Sequence, residues 1–484
     1  MSAMISSYFR RTVLFILFII PLVSGFSQKV WTLEDCINYA LENNLDIKKQ
    51  VLNVESNKAQ LLQSVLGLLP NLNANINNYW NFGQTVDRYT NQFATTNVRS
   101  NNFSLSTSFT LFSGLTMTNT VRQKNINLMA SNYDLDVLKN NISLTVAGYY
   151  LDILFNSELY EVARNQHDIT IEQVKRMQKL VSAGSSARGD LLNIQAQEAT
   201  EELARVDAEN RFAISKLSLQ QIIDLSVSKD FTIEKPQLKP VEAPKDVLTP
   251  DAVYGYALTT RPEIKSADLR VQSAVKSLAI ARGMLSPTLT FGANWATGYS
   301  GAAQEVDPNV PVTIIPYAAG YTSILKKDTV FLYAQNQALR VRSFSDQLRN
   351  NDNKSIGFNL SIPIFNGWQG RTAISNAKIL KDQAELDLEI KKRDLRKTIE
   401  QSYADAVAAL KKYNASEQKV AAQEESFKYT QQKFDVGMLT SFDFNTAKKD
   451  LTKAQSDQLQ AKYDFIFKTT ILDFYMGRPI NINK

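Results

Sequence analysis

The chain states its plan twice, at a fixed distance. Phe112-Ser113-Gly114 returns as Phe365-Asn366-Gly367, and the stretch from Gly184 to Asp190 returns from Gly437 to Asp443, each displaced by 253 residues. An offset unchanged over both features means that the segment between them carries no net insertion or deletion, as one long rigid element present in two copies would. Whatever one half folds into, the other must fold into as well.

That rigid element is helical. From Leu115 to Val181, and again from Arg371 to Asp435, there is no proline and Gly148 is the only glycine. Leu, Ala, Lys, Glu and Gln recur there at helical spacing, which predicts long helices over 115–181 and 371–435, each on the order of 100 Å at 1.5 Å per residue. Glycine turns then lead into return helices over 190–225 and 443–475, about 50 Å each. Leu45 to Leu66 and Glu263 to Leu285, about 34 Å each, read as helices that stop before Pro70 and Pro287, since proline lacks a donor and restricts the residue before it. Two shorter helices end to end nearly match one long one. Each chain can thus build four parallel columns that cover one another's apolar stripes.

Between the prolines and the long helices lie strands, at 71–82, 101–112, 288–297 and 355–365. Leu72, Ala74 and Ile76 alternate with asparagines; Phe103, Leu105, Thr107, Phe109 and Leu111 alternate with polar residues; Leu289, Phe291, Ala293 and Trp295 share a face, as do Ile356, Phe358, Leu360, Ile362 and Ile364. Period-two alternation over about 10 residues fits a half-buried soluble sheet and a tilted membrane strand equally well. In the second case Tyr79 and Trp80 would sit at an interface. The stretch from Pro287 to Phe365 is 36 residues longer than that from Pro70 to Phe112. The excess lies in 297–350, an elaborated external loop.

Residues 1–27 read as a secretory signal peptide: Arg10-Arg11, an apolar run from Thr12 to Val23, and a small-x-small site at Gly25-Phe26-Ser27. Beyond them no apolar stretch has spanning length, which excludes membrane helices and leaves membrane strands open. The division that follows is a first repeat over 28–228, a proline-rich connector at 229–250, a second repeat over 251–478 and a tail at 479–484. One cysteine, Cys36, excludes an internal disulfide and a cysteine metal cluster, and one histidine, His167, argues against His-based metal chemistry, while counting leaves carboxylate and serine chemistry open. Cys36 reads as packing and His167 as part of a solvated helix face. The net charge of +6 falls to +4 once Arg10 and Arg11 leave, with no basic block, so no nucleic-acid footprint is expected. No cofactor and no enzyme activity are expected.

Four strands cannot close a membrane barrel, and an open edge in lipid leaves backbone groups unpaired at several kcal/mol each. If the strands span a membrane, the chain must oligomerise. Two copies supply eight strands and a side-chain-filled interior; three supply twelve and a lumen.

On these residues the chain resembles the TolC-type outer-membrane efflux proteins (outer membrane factors) over about 34–477. The resemblance rests on the leader, the Leu-Leu-Pro and Leu-Ser-Pro corners at Pro70 and Pro287, the corners ending at Gly114 and Gly367, and the run from Val436 to Asp443. No single motif is specific; order, duplication and spacing carry it. It implies a mainly α fold with transmembrane β: a homotrimer whose twelve-stranded barrel lies in outer-membrane lipid and continues as a long periplasmic α-helical barrel. It implies a passive exit duct of a tripartite efflux or type I secretion system, partnered by a periplasmic adaptor (membrane fusion protein) and an inner-membrane transporter of RND, ABC or MFS type. Gly184, Ser185, Arg188, Gly437, Leu439 and Thr440 would then meet the adaptor, and Asp190 and Asp443 would ring the pore constriction. The residues alone also fit turns that do nothing but cap helices. Leu439 stands where some relatives latch with arginine, and Thr446 where a further acid occurs; Arg188 is the candidate substitute. The competing reading is an exported coiled-coil scaffold with a small soluble β-domain.

Overall fold

The computed structural model describes residues 29–94, 97–226, 231–236, 249–322, 324 and 328–480. The leader, residues 237–248 of the connector and residues 481–484 of the tail lie outside the described residues.

The first half runs β1 (Val30–Trp31), α1 (Leu33–Asn43), α2 (Leu45–Leu66), β2 (Asn71–Asn81), β3 (Thr85–Val86), β4 (Phe93–Ala94), β5 (Val98–Phe112), α3 (Thr116–Ser182), α4 (Arg188–Ile222) and β6 (Thr232–Ile233). The second runs α5 (Pro250–Thr260), α6 (Pro262–Gly283), β7 (Thr288–Ser300), β8 (Gln304–Val306), β9 (Thr313–Tyr321), β10 (Thr329–Asn336), β11 (Leu339–Val341), α7 (Phe344–Asn350), β12 (Asn353–Ser361), α8 (Gln369–Asp435) and α9 (Ser441–Tyr475). Each half carries helices of 11, 22, 67 and 35 residues in that order. The duplication reaches the backbone: Gly114 and Leu115 take φ of 61° and 61°, Gly367 and Trp368 61° and 69°. A left-handed Leu or Trp costs about 1–2 kcal/mol, so the strand-to-helix corner is a strained turn kept in both copies.

Several bounds differ from expectation. The last strand ends at Ser361, so Ile362 and Ile364 do not extend it; Pro363 has no N–H to give a ladder. The strands expected at 101–112 and 288–297 begin earlier or run further, at Val98 and to Ser300, because their polar ends still pair in register. Pro250, read as connector, opens α5 instead, since the first helical position needs no donor. Thr232–Ile233 in the same connector pairs parallel with Val30–Trp31.

The chain divides into two units. One comprises residues up to 54, 132–266 and 389 onward. Its core gathers Trp31, Cys36, Ala40, Val146, Tyr150, Ile153 and Leu219 from β1, α1, α3 and α4, with Ile223 capping α4 and Phe231 just before β6. Tyr150 Oη donates to the Glu234 carbonyl at 2.7 Å, fastening the segment around β6 to α3. Burial pushes the Cys36 thiol up to about 12, so the one cysteine is inert packing.

The other unit comprises 55–131 and 267–388, and holds a four-stranded antiparallel sheet in the order β12-β7-β5-β2. Its register aligns the alternation of all four strands. Ile76, Phe103 and Thr297 stand in one row, Ala74, Leu105, Trp295 and Lys354 in another, and Phe109, Phe291 and Phe358 in a third. One face is therefore an apolar band, with Leu72, Ile76, Ile356 and Phe358 about 70–80% exposed. The opposite face presents Asn73, Asn75, Ser104, Ser106, Thr290, Asn294, Ser355 and Asn359 and, among the described strands, no charged residue. The loop between β3 and β4 folds onto this polar face. Tyr89 Oη donates to Asn102 Oδ1 at 3.2 Å, and its ring lies where a side chain at Gly298 would stand. Asp87 accepts from the N–H groups of Tyr89 and Thr90 and from Ser300 Oγ.

The segment 297–350, read as a loop, carries regular elements among its described residues. The β8–β11 pair forms a stem, the β9–β10 hairpin follows, and α7 returns the chain to β7. Ile314, Tyr317, Phe331 and Tyr333 of the hairpin are at least half exposed.

Candidate pore constriction at the helical turns

Both long helices end the same way. Gly184 and Gly437 take φ of 74° and 78°. Ser185 N–H returns to the Leu180 carbonyl (2.8 Å) and Gly184 N–H to Val181 (3.0 Å); Met438 N–H returns to Lys433 (2.9 Å) and Gly437 N–H to Phe434 (3.0 Å). These are paired Schellman closures, which need a left-handed residue that glycine adopts without strain.

The starts of the return helices differ. At the second turn Thr440 and Asp443 form a capping box: Asp443 N–H donates to Thr440 Oγ1 at 3.2 Å, while Thr440 Oγ1 and N–H donate to Asp443 Oδ2 at 2.6 and 3.3 Å. At the first turn the cap position is Ala187, which has no side-chain oxygen to offer. Asp190 is exposed and its carboxylate makes no hydrogen bond or ion pair to any described residue. The two acids, equivalent by position, are thus not equivalent by partner. Asp443 is tied into its helix; the Asp190 carboxylate is tied to no described residue.

Arg188 is exposed and Leu439 half-buried. The arginine that does reach the second turn is Arg176, near the end of α3, whose guanidinium pairs with the Asp435 carboxylate and donates to the Asp435 carbonyl at 3.2 Å. Nothing in the local pattern around Arg176 announced this, because its partner lies 259 residues away. Val436, Met438 and Phe442 crown the second turn at 71–77% exposed. The first turn has Ala183, Ser185 and Gly189 at the equivalent places.

Behind the turns the helices are fastened by a buried charge. Lys448 of α9, 2% exposed, directs Nζ at the Gln166 carbonyl (2.8 Å), at Thr170 Oγ1 and at both carboxylate oxygens of Glu201 (3.2 and 3.0 Å). Gln197 Nε2 donates to Glu201 Oε1 at 2.8 Å and Thr170 Oγ1 to Glu201 Oε2. Burial pushes the Lys448 ammonium below its ordinary value, and the Glu201 carboxylate opposes that shift. One cluster thereby joins α3, α4 and α9, two helices of the first half with one of the second. His167, read as solvated, is instead 9% exposed, its ring nitrogens 3.3 and 3.4 Å from Glu198 and Glu202 of α4. Phe444 packs on Phe427 and Phe434, with ring centroids at 5.3 and 4.7 Å. Among the described residues no group of acids, cysteines and histidine is arranged to hold a metal ion, and no helix is long and apolar enough to cross a membrane.

The solved channels share this fold. The CusC channel superposes with a TM-score of 0.73 at 16% identity, covering 92% of each chain, and VceC of Vibrio cholerae with 0.71 at 15% identity, covering 93% of this chain and 97% of its own. By sequence, the outer membrane efflux protein BepC of Brucella suis is 21% identical over 308 residues, 63% of this chain and 57% of BepC. The alkaline protease secretion protein AprF of Pseudomonas aeruginosa is 25% identical over 146 residues, 30% of each chain. The alignments to these curated relatives span about a third to three fifths of them. The profile of the outer membrane efflux protein family matches residues 36–224 and 253–478, and the chain belongs to that family.

Proposed function

We propose that the protein is the outer-membrane exit duct of a tripartite efflux or type I secretion system, a passive conduit opened at its helical turns. The observation that carries this is the four-stranded sheet. Its outer strands, β12 and β2, each leave an edge open, and one face carries an exposed apolar band that gives way to Lys354, Arg99 and Asn101 at one end. Lipid covers such a band, but an open edge in lipid is untenable. Three copies pairing β12 with β2 close a twelve-stranded barrel that turns the uncharged Asn, Ser, Thr and Gly face into a wet lumen. A soluble scaffold would leave the band facing water, which disfavours that reading.

An uncharged lumen selects little by charge, so selection falls to the turns. Around a three-fold axis Asp190 becomes a ring of three unpaired carboxylates, with Asp443 mainly a cap. The apolar crest of Val436, Met438 and Phe442 suits docking by a periplasmic adaptor, together with Gly184, Ser185, Arg188, Gly437, Leu439 and Thr440; the adaptor in turn recruits an inner-membrane transporter. Electron microscopy of the detergent-extracted protein tests the assembly. A three-fold particle with a detergent belt around the β end supports the duct; a beltless rod refutes it.

A further inference from the structure

The apolar band ends, at the edge away from the Pro70 and Gly114 corners, in a polar cavity of about 370 Å³ lined by Arg99, Asn101, Tyr299, Arg342, Ser343 and Phe344. Its size is that of a small-ligand site. Arg99, Asn101 and Tyr299 lie on the same face as the band, in the rows of Trp80 and Asn78. Phe344 of α7 leans on Phe103 and Tyr299 of that face, with centroids at 6.3 and 5.3 Å, and Gln347 holds α7 to the N–H and carbonyl of Ser300 at 2.8 and 2.9 Å. The cavity is therefore built from strand and helix, and in the duct proposed above it opens where the outer leaflet's headgroups begin.

Two features of its wall ask for a ligand. Asn101 is 7% exposed. Its Nδ2 donates to Asn78 Oδ1 (3.1 Å), which also accepts from Arg99 Nε (3.3 Å). Because that oxygen takes two donors, the Asn101 amide is oriented nitrogen-first toward it, leaving Asn101 Oδ1 buried without a hydrogen-bond partner. An orphaned buried acceptor is destabilising until a donor reaches it. The second feature is cationic. Among the described residues Arg99 meets no carboxylate; it lies 5.8 Å from the Trp80 ring. Arg342 pairs with Glu305 at 3.5 Å, a carboxylate already held by Arg340 at 2.9 Å, and feels Asp346 only at longer range. Two guanidiniums with spare N–H donors recognise phosphate in forked geometry, and the orphaned oxygen beside them takes a hydroxyl.

We infer that this cavity binds a phosphorylated saccharide, with the phosphate on Arg99 and Arg342 and a sugar hydroxyl donating to Asn101 Oδ1. The inference rests on the outer-membrane reading of the sheet, where the source is a phosphorylated glycolipid of the outer leaflet; the same chemistry is offered by a soluble sugar phosphate.

The test is native mass spectrometry of the full chain in detergent, titrated with a diphosphorylated glucosamine-disaccharide lipid, its dephosphorylated counterpart, and soluble glucosamine phosphate. The phosphorylated lipid is expected to bind at least tenfold more tightly than the dephosphorylated one. Arg99→Gln with Arg342→Gln should abolish that preference, while Lys411→Gln with Lys412→Gln, an equal loss of charge elsewhere, should keep it. Equally tight, arginine-dependent binding of soluble glucosamine phosphate would support the site and assign it to a soluble ligand. A phosphate preference that survives in the arginine double variant, or is absent from the unaltered chain, overturns the inference. Conductance in planar bilayers separates the two proposals: a conducting chain without phosphate preference sinks the site alone, and a non-conducting, beltless chain sinks the duct.

Discussion

Lys448 offers the sharpest test of what holds the region behind the turns together. Replacing it by methionine keeps the volume but removes the ammonium that faces Glu201 at 3.0 and 3.2 Å. Breaking one side of a buried ion pair costs about 3–5 kcal/mol. Here Glu201 keeps two donors, Thr170 Oγ1 and Gln197 Nε2, which places Lys448→Met at the low end, about 3 kcal/mol. Lys448→Met combined with Glu201→Gln removes the orphaned charge as well and should recover most of the loss, since a neutral amide in the same place still bonds to Thr170. A global melt does not isolate this region in a chain that divides into two units. The assay is hydrogen exchange of peptides spanning 443–452 and 166–172, which reads local opening directly. About 3 kcal/mol is about a hundredfold faster exchange in the single variant, against less than tenfold in the double. Exchange unchanged within threefold in Lys448→Met would show that the pair does not fasten α9 to α3 and α4. Equal acceleration in both variants would show that packing, not charge, was lost.

At the turns, Asp190→Asn is expected to lower cation selectivity in planar bilayers while leaving assembly intact, whereas Asp443→Ala should cost about 1 kcal/mol of helix capping with little change in selectivity; reversed effects would reassign the two acids. Ala187→Thr should rebuild in the first turn the box seen in the second, stabilising α4 by up to about 1 kcal/mol and blunting the Asp190 effect by occupying its carboxylate, both read by exchange and conductance. For Asp87, burial alone would push the carboxyl up, but hydrogen bonds from Ser300, Thr90 and Tyr89 outweigh it and hold the group below its ordinary value. Its contribution is therefore present above the unfolded value of about 3.9 and lost as pH falls through the lower folded one. Asp87→Asn should remove that acid-side loss, read as hydrogen-exchange protection of peptides spanning 85–94 between pH 5 and 2. Cys36 should resist maleimide in the folded chain and react only on unfolding.

The residues most legible in the sequence are those whose function is local. A proline ending a helix, a glycine at a left-handed φ and an alternating strand each act through their immediate neighbours, so Pro70, Gly184 and the Leu72 to Ile76 run could be read without a partner. Pro250 misled because the same ring that breaks a helix interior also starts a helix. What stayed hidden depends on residues far apart in sequence: Arg176 with Asp435, Lys448 with Glu201, His167 between Glu198 and Glu202, and Asn101 above an arginine-lined cavity.

The two halves also differ where an assembly would ask different things of them. Backbone features that shape the duplicated frame, such as the left-handed corners at 114–115 and 367–368, are kept in both copies despite their strain. Side chains at the turns have separated: Thr440 caps and Ala187 does not, Phe442 is exposed where the first copy has Gly189, and Asp443 is bonded where Asp190 is free. Two identical turns per chain would give a trimer six equivalent positions. In the trimer proposed above, the observed divergence would give three of each kind, so that one set could present an apolar crest to a docking partner while the other presented charge to the permeant ion. On this logic, Ala187→Thr with Gly189→Phe, which leaves Arg188 in place, should weaken charge selection and leave docking at the apolar crest of the second turn unaltered. Lost docking with retained selectivity would overturn the division of labour.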